Sequence, residues 1–107
     1  GLDLDANGLD GSVASTWGAG LPSLGTVDLS DNGLTTAEVD ALVTAFWNAR
    51  NEFTAPGTID LGGSNDPCTG TVQAPSGAVA NCGEMAYELV NDSLTEGFNA
   101  WTSVSFA

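Results

Sequence analysis

The chain is short and strongly acidic: its 107 residues include fourteen Asp and Glu residues, one base, Arg50, and no histidine. A net charge of −13 argues against nucleic acid, which is bound through Lys and Arg, and against an anionic membrane surface. No apolar run approaches the roughly 20 residues that a membrane-spanning helix needs, so membrane insertion is not expected.

A short motif recurs from the first residues onward. Residues 2–9 read LDLDANGL and residues 27–34 read VDLSDNGL, so both fit the pattern L-x-L-x-x-N-G-L. A third copy begins at Ile59, but its asparagine stands one place later, at Asn65. Two apolar residues around a polar one are typical of a short strand, and Asn-Gly is typical of the turn after it. The predicted strands span residues 2–4, 27–29 and 59–61.

The longer connections have helical patterns. Thr35 and Glu38 fit a capping box, and apolar residues follow at helical spacing, which predicts a helix that ends near Asn51. A second helix is predicted over residues 83–94, closed by Gly97, and residues 102–106 alternate as in a strand. Right-handed strand–helix–strand crossovers make the strands parallel.

The first half resembles a plant-type leucine-rich repeat, N-x-L-x-G-x-I-P followed by L-x-x-L-x-x-L-x-L. Ala14 stands where that consensus has proline. The residues that match are Asn7, Leu9, Gly11, Val13, Leu21, Leu24, Val27 and Leu29. The second half is similar to leucine-rich-repeat-like modules of phage and bacterial surface or fibre proteins, in the motifs at residues 27–35, 57–67 and 101–104.

The resemblance implies an α/β fold, namely a short leucine-rich-repeat solenoid of parallel strands with helical and irregular crossovers. Residues 1–107 would form one such domain. Because the chain opens on Gly1 and its first apolar coil needs a cover, we expect it to be the C-terminal part of a longer chain or assembly. The partner would be another protein or another copy of the chain.

Two cysteines, Cys68 and Cys82, bracket a stretch rich in Gly, Ser, Pro and Ala. Without histidine they make a poor zinc site, so we predict a disulfide, with buried free thiols as the alternative. Closing a loop of about fifteen residues stabilises a fold by roughly 3 kcal/mol in the chain-entropy account. A disulfide would indicate an extracellular or virion-surface setting.

The candidate binding site is a row of aspartates. Asp3, Asp28 and Asp60 occupy the middle of each L-x-L, and Asp5 and Asp31 stand beside them. In-register parallel strands lie about 4.8 Å apart, so these carboxylates repel each other unless a cation or a partner's Lys or Arg compensates. The alternative is that solvent and salt screen an outward-facing row.

Residues of the repeated motif also resemble other kinds of site. Asn7 and Asn32 are predicted to be structural residues of the turns. The run Asp3-x-Asp5-x-Asn7-Gly8 also copies the opening of an EF-hand loop, but Ala14 stands where the closing Glu is required. No cofactor or metal site is therefore predicted, with looser calcium binding on the acidic surface left open.

Enzymatic chemistry has little support, because a chain without His or Lys has no Ser–His couple and no Schiff-base amine. The resemblance implies a non-enzymatic structural or binding module of a virion or bacterial surface assembly, such as a fibre, decoration or adhesin component that makes protein or receptor contacts. The alternative is a secreted leucine-rich-repeat domain that binds its ligand through the acidic strand face, with or without calcium. Trp47 and Trp101 are expected in the core and Trp17 at the surface.

Overall fold

The computed structural model describes residues 25–54 and 56–106, together with the backbone of residues 2–3. The strands are β1 Leu2–Asp3, β2 Thr26–Asp28, β3 Thr58–Asp60 and β4 Ser103–Ser105, and the helices are α1 Thr36–Asn48 and α2 Cys82–Asn91. All four strands are parallel and lie in chain order. The predicted α/β class with parallel strands and helical crossovers is confirmed, and within the described residues the sheet is not closed.

The strands are short, and the central apolar residue of each of β2 and β3 stacks on that of the next strand. Val27 pairs with Ile59, which pairs with Val104, and both Val27 and Ile59 are buried. Strands β2 and β3 start one residue earlier than predicted. The pairing nevertheless continues past their ends, since the Leu29 N–H donates to the Asp60 carbonyl at 2.8 Å and the Leu61 N–H donates to the Ser105 carbonyl at 2.8 Å.

Helix α1 begins as its sequence predicts. The Thr35 hydroxyl accepts from the Glu38 N–H at 3.2 Å, and the Glu38 carboxylate accepts from the Thr35 N–H at 3.0 Å, which confirms the capping box. The helix ends at Asn48 rather than near Asn51, because a further turn begins there in which the Glu52 N–H donates to the Ala49 carbonyl at 2.9 Å.

Helix α2 is shorter than predicted. Asn81 caps its start by accepting from the Glu84 N–H at 3.0 Å. The helix was predicted to run to Leu94, with Gly97 as the closing residue, and this was wrong. It ends at Asn91, because Asp92 takes a left-handed conformation with φ 44° and stops the helix. The Asp92 carboxylate then accepts from the backbone N–H groups of Glu96 and Gly97, both at 2.8 Å, which fixes the following turn.

An aromatic cluster fills the core between the helices and the sheet. The Trp101 ring lies 5.0 Å from Phe53 and 5.6 Å from Phe46, both edge to face, an arrangement that favours aromatic pairs. Trp101 is buried as expected and lies two residues before β4. Trp47, also expected in the core, is half-buried at its margin, with its ring 6.0 Å from that of Phe98 and nearly perpendicular to it. The prediction for Trp17 lies outside the described residues.

Candidate functional site

One face of the sheet carries a row of three aspartate positions. Parallel pairing sets Asp3 opposite Asp28 and Asp28 opposite Asp60, and Ser105 takes the same position in β4. Neighbouring strands lie about 4.8 Å apart, so the backbone holds these positions close together. We call Asp3, Asp28 and Asp60 the carboxylate row. The side chains of Asp28 and Asp60 are half-buried; the side chain of Asp3 and the whole of Asp5 lie outside the described residues.

Each described carboxylate of the row closes its own turn. Asp28 Oδ1 accepts from the Ser30 N–H at 3.0 Å and from the Ser30 hydroxyl at 2.6 Å. Asp60 Oδ1 accepts from the Gly62 N–H at 2.9 Å. A carboxylate that accepts from the backbone two residues later is typical of an Asx turn. One oxygen of each carboxylate is therefore fixed at the carboxyl end of its strand.

A row of hydroxyl groups lies beside the carboxylates. Thr26, Thr58 and Ser103 are in register two residues before the aspartate position of each strand. Thr26 and Ser103 are exposed and Thr58 is half-buried. We call these three residues the hydroxyl row and, with the carboxylate row, the outer face. Hydroxyls both donate and accept hydrogen bonds. From the sequence, only the aspartates were predicted as a site. The hydroxyl row was also predictable, because residues two apart in a strand share a face.

The one basic side chain of the sequence, Arg50, does not neutralise the carboxylate row. Arg50 Nε lies 2.6 Å from Glu96 Oε1, and its guanidinium carbon lies 3.9 Å from the centre of the Trp47 ring. Arg50 is the one Lys or Arg in the sequence, which also has no histidine. No basic side chain of this chain is therefore left to neutralise the row, and the compensating charge must come from solvent ions or a partner.

Asp31 lies beside the row and has a different environment. It takes a left-handed conformation with φ 56° in the turn after β2. Its carboxylate accepts from the Ser64 N–H at 2.8 Å, and its own N–H donates to the Gly62 carbonyl at 3.2 Å. This carboxylate therefore links two successive turns, and a binding role for Asp31 stays a prediction.

Two asparagines hold the turns beneath the outer face. Asn65 Oδ1 accepts from the N–H groups of Asn32 and Leu34 at 3.1 and 2.9 Å. Asn65 Nδ2 donates to the carbonyls of Leu29 and Leu61 at 2.9 and 3.1 Å. Asn32 Nδ2 also donates to the Leu29 carbonyl, at 2.9 Å. The amide of Asn65 thus joins two turns even though it stands one place late in the motif. Asn7 lies outside the described residues.

The predicted disulfide between Cys68 and Cys82 is present. It ties the first residue of α2 to the loop that follows the third motif. Disulfides form and persist in oxidising settings, which fits the expected location without fixing it. None of the helices in the described part of the chain is long and apolar enough to cross a membrane.

The fold and the outer face define a small α/β scaffold with parallel strands, on which the carboxylates of Asp28 and Asp60 are fixed by their turns beside a row of hydroxyls. Comparisons with protein families, with curated proteins and with solved structures give no match. The chemistry of the face is that of an oxygen-rich anionic surface, suited to cations, to Lys and Arg side chains and to hydrogen-bond donors.

Proposed function

We propose that this chain is a non-enzymatic binding module, a short leucine-rich-repeat solenoid whose outer face binds the basic side chains of a protein partner. The observation that carries the proposal is the register of Asp28 with Asp60, in a chain whose one base is paired elsewhere. Like charges directly opposite on neighbouring strands destabilise a sheet. A partner that supplies Lys or Arg removes this repulsion and gains charge-assisted hydrogen bonds.

The arrangement favours a protein partner over a bound metal as the main ligand. Calcium takes six to eight oxygen ligands, whereas Asp28 and Asp60 each already use one oxygen in a turn. A guanidinium has five N–H donors and does not require a closed set of oxygen ligands. Asp28 and Asp60 stand opposite each other on strands about 4.8 Å apart, so one guanidinium can donate to both carboxylates. Exposed hydroxyls of Thr26 and Ser103 supply further polar contacts beside the charges.

We further propose that the module belongs to a virion or bacterial surface assembly, as a fibre, decoration or adhesin component. Support comes from the repeated strand-and-turn motif and from the disulfide, which suits an extracellular location. The sheet also ends in two strands, β1 and β4, that are each paired on one side within the described residues. Such edges suit stacking against further repeats or another subunit. Fractionating the native source and detecting the protein in intact particles or the cell envelope tests the location.

The binding proposal is tested by neutralising the row without breaking its turns. In the Asp28→Asn/Asp60→Asn double variant, each asparagine Oδ1 can still accept the hydrogen bonds that the carboxylate accepts now. The matched control is Glu52→Gln/Asp66→Asn, which removes two exposed acids that lie elsewhere. Binding of an oligoarginine peptide is measured by titration at several salt concentrations. We expect binding to weaken tenfold or more in the row variant and less than twofold in the control.

Equal weakening in both double variants would contradict the proposal, because it would show diffuse attraction by the net charge rather than recognition at the row. A secreted ligand-binding domain assisted by calcium is the alternative, favoured by the oxygen-only chemistry of the outer face. It predicts that calcium binds the wild-type chain, measured by calorimetry, and that the row variant loses this binding while the control keeps it.

A further inference from the structure

A second group of chemically reactive side chains meets between the helices, apart from the outer face. Asp40 lies in α1, Cys82 is the first residue of α2, and Cys68 lies in the loop between β3 and α2. A carboxylate oxygen of Asp40 and the two sulfurs lie within 4.8 Å of one another. Cys82 is buried, and Asp40 and Cys68 are half-buried. The sequence predicted a disulfide between the two cysteines but not the nearby carboxylate of Asp40.

Hydrogen bonds at Thr69 connect these three residues independently of the disulfide. The Thr69 N–H donates to Asp40 Oδ1 at 2.8 Å, and the Thr69 hydroxyl donates to Asp40 Oδ2. The Thr69 carbonyl accepts from the Gly83 N–H at 3.0 Å. The residue after Cys68 therefore binds both Asp40 and the residue after Cys82.

Close packing holds the same segments together. A Cβ on Gly83 would lie 2.4 Å from the Thr71 carbonyl oxygen, and a Cβ on Gly70 would lie 2.5 Å from Asn81 Cγ. The backbone around residues 69–71 therefore lies directly against the start of α2. These contacts hold residues 69–71 beside the start of α2 in addition to the disulfide.

We propose that, once its disulfide is reduced, this protein binds a thiophilic divalent cation of the zinc type through Asp40, Cys68 and Cys82. A dithiol reductant supplies two electrons and two protons: the S–S bond breaks, each cysteine becomes a thiol, and the reductant becomes a disulfide. The cation then displaces one proton from each thiol and binds the two thiolates and the carboxylate. Three protein ligands and one water complete four-coordination.

The geometry requires only small movements. With zinc–sulfur bonds of about 2.3 Å, a tetrahedral site separates its two sulfurs by roughly 3.8 Å, so the sulfurs move apart by side-chain rotation while the backbone stays in place. The donors from Thr69 orient the carboxylate of Asp40, as partners of metal ligands commonly do. Cys82 lies at the start of α2, where the helix dipole favours an anionic ligand.

Cobalt(II) is the probe, since its bonds to thiolates absorb in the near ultraviolet. The chain is reduced with a phosphine, which takes its oxygen from water as the disulfide opens, and is then titrated with Co²⁺. We expect one Co²⁺ per chain with a thiolate charge-transfer band, displaced by equimolar Zn²⁺, and no band in the oxidised chain. Asp40→Asn should weaken binding tenfold or more, and Glu52→Gln, an exposed acid elsewhere, less than twofold.

The proposal is overturned if the reduced wild-type chain shows no thiolate band, or if Asp40→Asn binds as tightly as the wild type. Circular dichroism accompanies each titration, and a reduced chain that loses its helices and does not regain them with Co²⁺ also overturns it. X-ray absorption on the wild-type complex decides the ligand set even if the variant does not fold. We expect two sulfur and two oxygen ligands around cobalt. A shell of four sulfurs, or a shell of oxygens without sulfur, would refute the site.

Discussion

Replacing Asn65 with alanine tests whether the displaced asparagine of the third motif holds the turns together. The variant removes both hydrogen bonds accepted by Oδ1 and both donated by Nδ2, which together join the second and third turns. Each such bond contributes about 0.5 to 1.5 kcal/mol net. Because Asn65 is half-buried and water can replace part of the lost bonding, we expect a loss of about 2 to 4 kcal/mol.

Urea denaturation followed by tryptophan fluorescence measures this loss, since the ring of Trp101 is buried. For a chain of this size the dependence of the unfolding free energy on urea is about 1 to 1.5 kcal/mol/M, so the midpoint should fall by about 1.3 to 4 M. The control is Asn91→Ala, which removes one exposed hydrogen bond to the Tyr87 carbonyl and should change stability by less than about 0.5 kcal/mol. A shift in Asn65→Ala no larger than that of the control would refute the structural role assigned to Asn65.

Two further substitutions test the turns and the end of α2. Gly63→Ala should lower the free energy of unfolding, measured by thermal denaturation, by about 2 to 3 kcal/mol. The new Cβ would clash with Asp31 Oδ1 and break the hydrogen bond that this oxygen accepts from the Ser64 N–H. Gly33 has a similar positive φ, but a Cβ added there would meet open space, so Gly33→Ala should lower the free energy of unfolding by only about 1 kcal/mol. Equal losses in the two variants would contradict a clash at residue 63. Glu88→Gln should lower the free energy of unfolding by about 1 to 3 kcal/mol. The buried carboxylate accepts hydrogen bonds from Ser93 and from the Leu94 N–H, and the amide of glutamine would point its NH₂ group, a donor, at one of these donors. Exposed Glu52→Gln is the control, and matching denaturation midpoints in the two variants would count against this role for Glu88.

The elements that sequence predicted well are those coded by adjacent residues. Thr35 and Glu38 form a capping box because both partners lie within one helical turn. The alternation in each L-x-L sets Val27 and Ile59 on the buried side of the sheet. The disulfide followed from having two cysteines and no histidine in the chain. The capping box and the strands are set by residues close together in the chain, and each cysteine has only one other cysteine to pair with.

Most of the features that the sequence did not predict depend on contacts between residues far apart in the chain. Asn65 bonds to residues of the preceding turn, and Asp40 meets the cysteines only because α1 packs beside α2. Gly97 was predicted to close α2, but Asp92 stops the helix earlier. Aspartate tolerates the left-handed conformation, and its carboxylate accepts from the N–H groups of Glu96 and Gly97. The solenoid itself stays a prediction, since its first turn lies outside the described residues.

The aspartates of the outer face combine two roles that can be separated. Asp28 and Asp60 each close a turn through Oδ1, and an asparagine offers the same acceptor. The turns therefore require a side-chain oxygen and do not require a negative charge. Placing charged residues in register adds repulsion that the fold could avoid with asparagine. Arg50 does not relieve that repulsion, because it is paired with Glu96. The charge strengthens the hydrogen bonds that close the turns, but the turns do not require it and it adds repulsion between the strands. We therefore propose that the charge serves recognition, and asparagine is the substitution that tests this.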